Sequence, residues 1–231
     1  MAAISVPATS YIDVDMHQLL AGAGDEFREG SLKISYQGIS QQLGAQVKLV
    51  DSQNSLIWAE QLSYTTKYVS SQLESVWWLP YENSETRIVV SNTSSGIVTA
   101  SLTADGASPN QSSPATISLN PWETRVLDLM RDIVGNSGGH IHESGGVSIT
   151  HSGSPGAVIA RMFIAKASKG YSSAINFIDP GAMVSSRWHG NGLRFRNVNG
   201  AKLDPVLVAR NNLSIEHSRR PDRLVDDRQP E

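Results

Sequence analysis

The chain has 231 residues, room for one large domain or two small ones. Hydrophobic residues make up 39% of it and charged residues only 18%, below the roughly 25% of an average globular domain, with Ser, Thr, Asn and Gly filling the gap. Net charge is −3 with no basic patch, which argues against a nucleic-acid partner; cysteine is absent, which removes disulfides, thiolate metal sites and a cysteine nucleophile; and no run of about 18 apolar residues is present to span a membrane.

From the start of the chain, residues 1–7 have neither a basic n-region nor an apolar h-region, so they do not read as a signal peptide; an export signal would lie on a longer parent chain. Asp13 and Asp15 read as sharing one strand face, followed by one helical turn at 16–20. A strand-like run follows Gly44-Ala45. Residues 86–92 and 97–103 are β-branched runs separated by the turn signal Thr93-Ser-Ser-Gly96. In the second run Val98, Ala100 and Leu102 alternate with Ile97, Thr99, Ser101 and Thr103, the pattern of a half-buried antiparallel strand. Strands at 115–119 and 124–129 flank Asn120-Pro121, where proline ends the ladder because it has no N–H to donate. One helical turn is expected at 130–134, and further strands at about 146–151, 157–165 and 172–178, with His151-Ser-Gly-Ser-Pro155 as a hairpin turn. Residues 216–231 carry nine charged side chains with almost nothing to bury and are expected to be disordered. A unit that breaks off into such a tail reads as a truncated or frame-shifted end of a longer gene.

The chain also repeats itself. Segments 11–20 and 125–134, 30–38 and 145–153, Gly44-Ala45 and Gly156-Ala157, and 87–92 and 206–211 match in the same order, at offsets of roughly 112 to 119 residues. Four collinear matches imply duplication. The expected organisation is the second half of a sandwich unit at 1–72, a complete unit at 73–182, the first half of another at 183–215 and the tail at 216–231. The two half units could pair into one composite sandwich, because their open edges would otherwise invite association. The fold class is all-β, in tandem antiparallel β-sandwich units.

The runs Val90-Ser-Asn-Thr-Ser-Ser-Gly-Ile-Val-Thr-Ala-Ser-Leu-Thr103 and Ile117-Ser-Leu-Asn-Pro-Trp-Glu-Thr-Arg-Val126 resemble bacterial Ig-like and fibronectin-III-like sandwich domains. In those, a strand ends in Asn-x-small and a Leu-x-Pro-x-Glu turn leads into a later strand. Ser75-Val-Trp-Trp-Leu-Pro80 is similar to uncharacterised repeat proteins of environmental bacteria. The resemblance covers about 75–180 well. It implies spacers, adhesins or modules attached to secreted enzymes, and no catalytic residues to carry over, since these motifs specify a fold and not an activity.

Three clusters are candidates for chemistry. His140 and His142 share a strand face, with His151 nearby, which is how a metal could be gripped; the flanking Gly138-Gly139 and Gly145-Gly146 favour a solvated loop instead. Trp58, Trp77, Trp78, Trp122 and Trp188 could include a glycan-binding strip, Trp78 and Trp122 being the best placed, although packing of the sandwich and its junctions accounts for most such rings. Asp13 with Asp15, or Asp128 with Asp132, could hold calcium, but no EF-hand or RTX loop accompanies them. No Gly-x-Ser-x-Gly elbow or phosphate loop is present. The sequons at Asn92, Asn110 and Asn212 matter only in a glycosylating host. The expected function is a non-catalytic structural, adhesion or ligand-presenting segment of a larger surface or secreted protein, binding a glycan or protein and needing no cofactor. A carbohydrate-binding module and a metalloenzyme are the alternatives.

Overall fold

The computed structural model describes residues 5–7, 12–20, 32, 34–35, 37, 43–51, 53, 56–61, 68–79, 81, 83–105, 114–134 and 144–182. All of them belong to the first of two units, Met1–His189; the second, Gly190–Glu231, lies outside the described residues. The expectations for His140, His142, Trp188, the 183–215 half unit and the 216–231 tail therefore fall outside them too.

The described chain is all-β apart from short turns of helix. A helix, α1 (Met16–Leu20), precedes the hairpin β1 (Gln46–Asp51) and β2 (Leu56–Gln61). Eight further strands follow: β3 (Gln72–Trp78), β4 (Glu85–Asn92), β5 (Val98–Asp105), β6 (Ala115–Leu119), β7 (Thr124–Asp128), β8 (Ser144–His151), β9 (Val158–Lys166) and β10 (Tyr171–Asn176). They form two antiparallel four-stranded sheets, ordered β10-β9-β4-β7 and β3-β8-β5-β6. No helix among the described residues is long and apolar enough to cross a membrane.

Side-chain alternation builds the core. On β4, Thr86, Ile88 and Val90 point inward while Glu85 and Arg87 face water; β5 buries Val98, Ala100, Leu102 and Ala104. Val147 and Ile149 of β8 meet Met162 and Ile164 of β9 across the layer, and one π-helical turn, Leu129–Val134, adds Leu129, Ile133 and Val134. Each large aliphatic buried here contributes roughly 1.5–3 kcal/mol over its exposed state. Helical turns form at both places where the sequence predicts them, 16–20 and 130–134.

Two expectations need correction. Residues 12–15 are not a strand; Asp15 instead caps α1, accepting the His17 backbone N–H at 2.9 Å on Oδ1, so it is engaged as a helix cap. Residues 151–155 are not a hairpin turn, because β8 and β9 belong to different sheets. The connection crosses the sandwich, tightly: a Cβ on Gly153 would lie 2.6 Å from the Ala157 Cβ. The turns at 93–97 and 120–123 likewise pass from one sheet to the other.

After β10 the chain also changes layers. Glu74 and Ile178 exchange backbone hydrogen bonds of 2.8 and 2.9 Å, so the segment beyond β10 covers the outer edge of β3 in the opposite sheet.

Candidate functional site

Three sheet-crossing loops gather at one end of the sandwich, and Asn92 organises them. Asn92 closes β4 and is fully buried. Its amide nitrogen donates to the carbonyls of Gly96 at 2.7 Å, Asn120 at 2.9 Å and Leu119 at 3.2 Å, while its oxygen accepts the Ser94 N–H at 2.9 Å and the Ser94 hydroxyl at 2.7 Å. A single side chain thereby fastens the 93–97 loop to the 120–123 turn. Thr93 ties in the third loop, its N–H reaching the Ala157 carbonyl at 2.8 Å and its hydroxyl the Gly156 carbonyl at 2.6 Å. With its amide enclosed and engaged at both ends, Asn92 is not an accessible sequon in the folded protein.

The 120–123 turn is clamped from within. The Glu123 N–H donates to the Asn120 carbonyl at 3.1 Å, and the Asn120 N–H donates back to Glu123 Oε2 at 2.7 Å. Arg125 Nε donates to the other carboxylate oxygen at 2.8 Å. The hydrogen bond from Arg125, then that from Asn120, hold the Glu123 carboxyl below the usual carboxylate range. Pro121 takes the second position of the turn and Trp122 the third, at φ +64°. A third residue with positive φ is what a type II turn requires, and Gly or Asn normally fills it. A bulky residue there holds the backbone in a sparsely populated region, at a cost of order 1–3 kcal/mol. Trp122 is 49% exposed, and Ile97 on the fastened neighbouring loop is 66% exposed. Two large apolar side chains thus face solvent from a rigid loop end.

The other predicted residues go elsewhere. Trp77 is buried, its indole N–H donating to the Gly146 carbonyl at 3.2 Å. Trp78 is half-buried at the opposite end of β3, edge-on to Tyr171 with ring centroids 6.0 Å apart and planes at 86°. Tyr81 meets the same Tyr171 at 5.9 Å and 75°. Tyr171 thus meets both Trp78 and Tyr81 edge to face. Trp78 and Trp122 lie at opposite ends of the sandwich and share no surface.

His151 shares the inward parity of Val147 and Ile149 and is buried with both ring nitrogens lacking a hydrogen-bond partner. Burial holds its pKa below the ordinary histidine value, offset in part by the Gly153 backbone and the Asp179 carboxylate. Ser144, where the chain leaves the segment carrying His140 and His142, lies the full length of β8 away, about 23 Å at 3.3 Å per residue. Among the described residues no group of three or more His, Asp or Glu side chains is placed to hold a metal. Asp128 and Asp132 serve the π-helical turn: Asp132 Oδ2 accepts the Asp128 N–H at 2.8 Å, and Asp128 Oδ1 accepts the Arg131 N–H at 2.9 Å.

No protein-family model, curated protein or solved structure matches this chain.

Sequence reading missed one further polar centre. Asp179 is buried and accepts the backbone N–H groups of Val69, Ser70 and Gly181 and the Ser70 hydroxyl. Burial pushes its carboxyl up, but the Ser70, Val69 and Gly181 hydrogen bonds outweigh that and hold it below the ordinary value. Its partners in the 68–71 segment lie 109 and 110 residues away, so no local pattern announces it.

Proposed function

We propose that this chain is a non-catalytic, ligand-presenting β-sandwich segment of a larger surface or secreted protein, of the Ig-like or fibronectin-III-like type, and that it binds through the loop end organised by Asn92. The observation that carries this reading is the pairing of a strained, solvent-facing Trp122 with an exposed Ile97 on loops fastened by one buried amide. A rigid scaffold that holds exposed loops fixed is the usual arrangement for recognition, because little loop entropy is lost on binding. An aliphatic and an aromatic side chain on neighbouring loops suit a protein ligand better than a sugar ring, which stacks on flat aromatic faces.

The test is a Trp122→Gly, Ile97→Ser variant. Glycine relieves the positive φ, so the unfolding midpoint in urea is expected to correspond to within about 1 kcal/mol of the parent protein. Binding to cell-surface protein extracts immobilised on a biosensor, and to a glycan array, is then compared with the parent chain. Loss of protein capture with stability retained supports the reading. Unchanged capture removes it, and loss of glycan binding alone would make the chain a carbohydrate module.

A further inference from the structure

Hairpin β1–β2 leaves one strand edge open. The Ser172 hydroxyl of β10 donates to the Ile57 carbonyl at 3.1 Å, so β2 has β10 on its far side and β1 is the outer strand. A carbonyl that reaches β10 points away from β1. Ile57 and its opposite, Val50, are therefore a non-hydrogen-bonded pair, and the two kinds of pair alternate along an antiparallel ladder. Val47, Leu49 and Asp51 thus turn their backbone groups toward β2, and Gln46, Lys48 and Val50 turn theirs outward. Among the described residues these outward N–H and C=O groups have no hydrogen-bond partner.

Hairpin β9–β10 shows what such an edge takes. At an offset of 115 residues its pairs fall on those of β1–β2, from Asp51↔Leu56 on Lys166↔Tyr171 to Gln46↔Gln61 on Arg161↔Asn176. The free side of β9 is filled by β4, and Ile164, which stands where Leu49 stands, is fully buried. On β1, Leu49 is 48% exposed and Val50, on the other face, 59%. A row of unpaired backbone groups with an apolar side chain on each face is a template for another strand.

The edge is complementary to itself. Two copies of β1 related by a twofold axis run antiparallel, and outward residues bond only to outward residues, so the axis passes through a residue. Axes at Val47 or Val50 pair no more than three residues of β1. An axis at Lys48 sets two like charges directly opposite each other, which is destabilising. An axis at Leu49 pairs residues 47–51 of each copy and avoids that clash. We propose that β1 pairs with β1 of a second copy of this chain across a twofold axis at Leu49, making a closed dimer. Lys48 and Val50 of one copy exchange backbone hydrogen bonds with Val50 and Lys48 of the other, and the two Leu49 residues stand opposite each other on one face. Each Lys48 opposes an exposed Val50, which its aliphatic stem can cover, and lies one residue from Asp51 of the second copy but two from its Lys48. A twofold contact uses the same edge on both chains and leaves none to propagate. Five residues a side make a small contact, of the kind that associates weakly and reversibly. It stands independently of the ligand-binding reading of the loop end.

The absence of cysteine makes the register testable in the full-length chain with single substitutions. A non-hydrogen-bonded antiparallel pair has its Cα atoms about 4.5 Å apart, within the span of a disulfide. Leu49→Cys is therefore expected to cross-link into a dimer under mild oxidation. Val50→Cys is the displaced control. It is the more exposed position, yet the two copies of residue 50 lie two residues out of register, about 8 Å apart and beyond that span. In parallel, sedimentation equilibrium of the unsubstituted chain should show monomer and dimer, with nothing larger, as concentration rises. Val50→Pro removes one outward N–H and no hydrogen bond of the hairpin, and is expected to weaken the dimer at least tenfold. All substitutions lie outside strands β3–β10, so an unchanged tryptophan thermal transition certifies the sandwich. A chain that stays monomeric at every concentration sinks the proposal. So does Val50→Cys linking as readily as Leu49→Cys, which would mean random collision or another register. Species larger than the dimer, or a dimer that Val50→Pro leaves intact, would place the contact elsewhere on the molecule.

Discussion

His151 shows how a residue that looks chemical can be structural. Its inward parity on β8 puts the imidazole among Val98, Ala157 and Gly153, with Asp179 the charged group facing it from the segment beyond β10. Because burial lowers its folded pKa below 6.5, the unfolded chain takes up a proton that the folded chain refuses. The contribution of neutral His151 is therefore complete above about pH 6.5 and declines as pH falls through the folded pKa. Urea midpoints should drop between pH 7.5 and pH 5.5, and His151→Leu should flatten that slope. A slope that survives the substitution would assign it to other groups. The parity was visible in the sequence, since Val147, Ile149 and His151 alternate; what outweighed it was the nearness of His140 and His142 in sequence, and those two lie outside the described residues.

Strand positions were legible because alternation is a local property, and β4 through β10 lie within a few residues of where it places them. Sheet membership was not. A two-residue period says which side chains are buried, but not whether the next turn folds back beside its strand or crosses the core, and this is why 151–155 read as a hairpin. The marker of a crossing here is Asn92. Its position at the end of β4, two residues before Ser94, is legible as the Asn-x-small motif; its grip on the turn beyond β6 is not. Asn92→Ala would strand the Leu119 carbonyl and release the 93–97 loop. The expected loss is about 3 kcal/mol by chemical denaturation. Asn92→Asp should be no better, since a carboxylate faces three carbonyl oxygens with nothing to donate. Full stability in either variant would show that the loops hold without the clamp.

At the scale of the molecule, Asp179 does for the chain's path what Asn92 does for the loops. It joins the segment entering β3 to the segment leaving β10, through the N–H groups of Val69 and Ser70. Asp179→Asn keeps the shape but loses the charge-assisted acceptor, and should cost about 2 kcal/mol. Hydrogen exchange should quicken at Val69 and Ser70 before it does in β4 or β9, whereas uniform quickening would mean that the joint is part of the global core.

Because entry and exit are joined at Asp179, the chain between Val69 and that carboxylate, a separation of 110 residues, forms a loop pinched at its base. Entry to this body and exit from it therefore lie side by side. It could be excised, or transplanted into a surface turn of an unrelated host, without redirecting the backbone on either side.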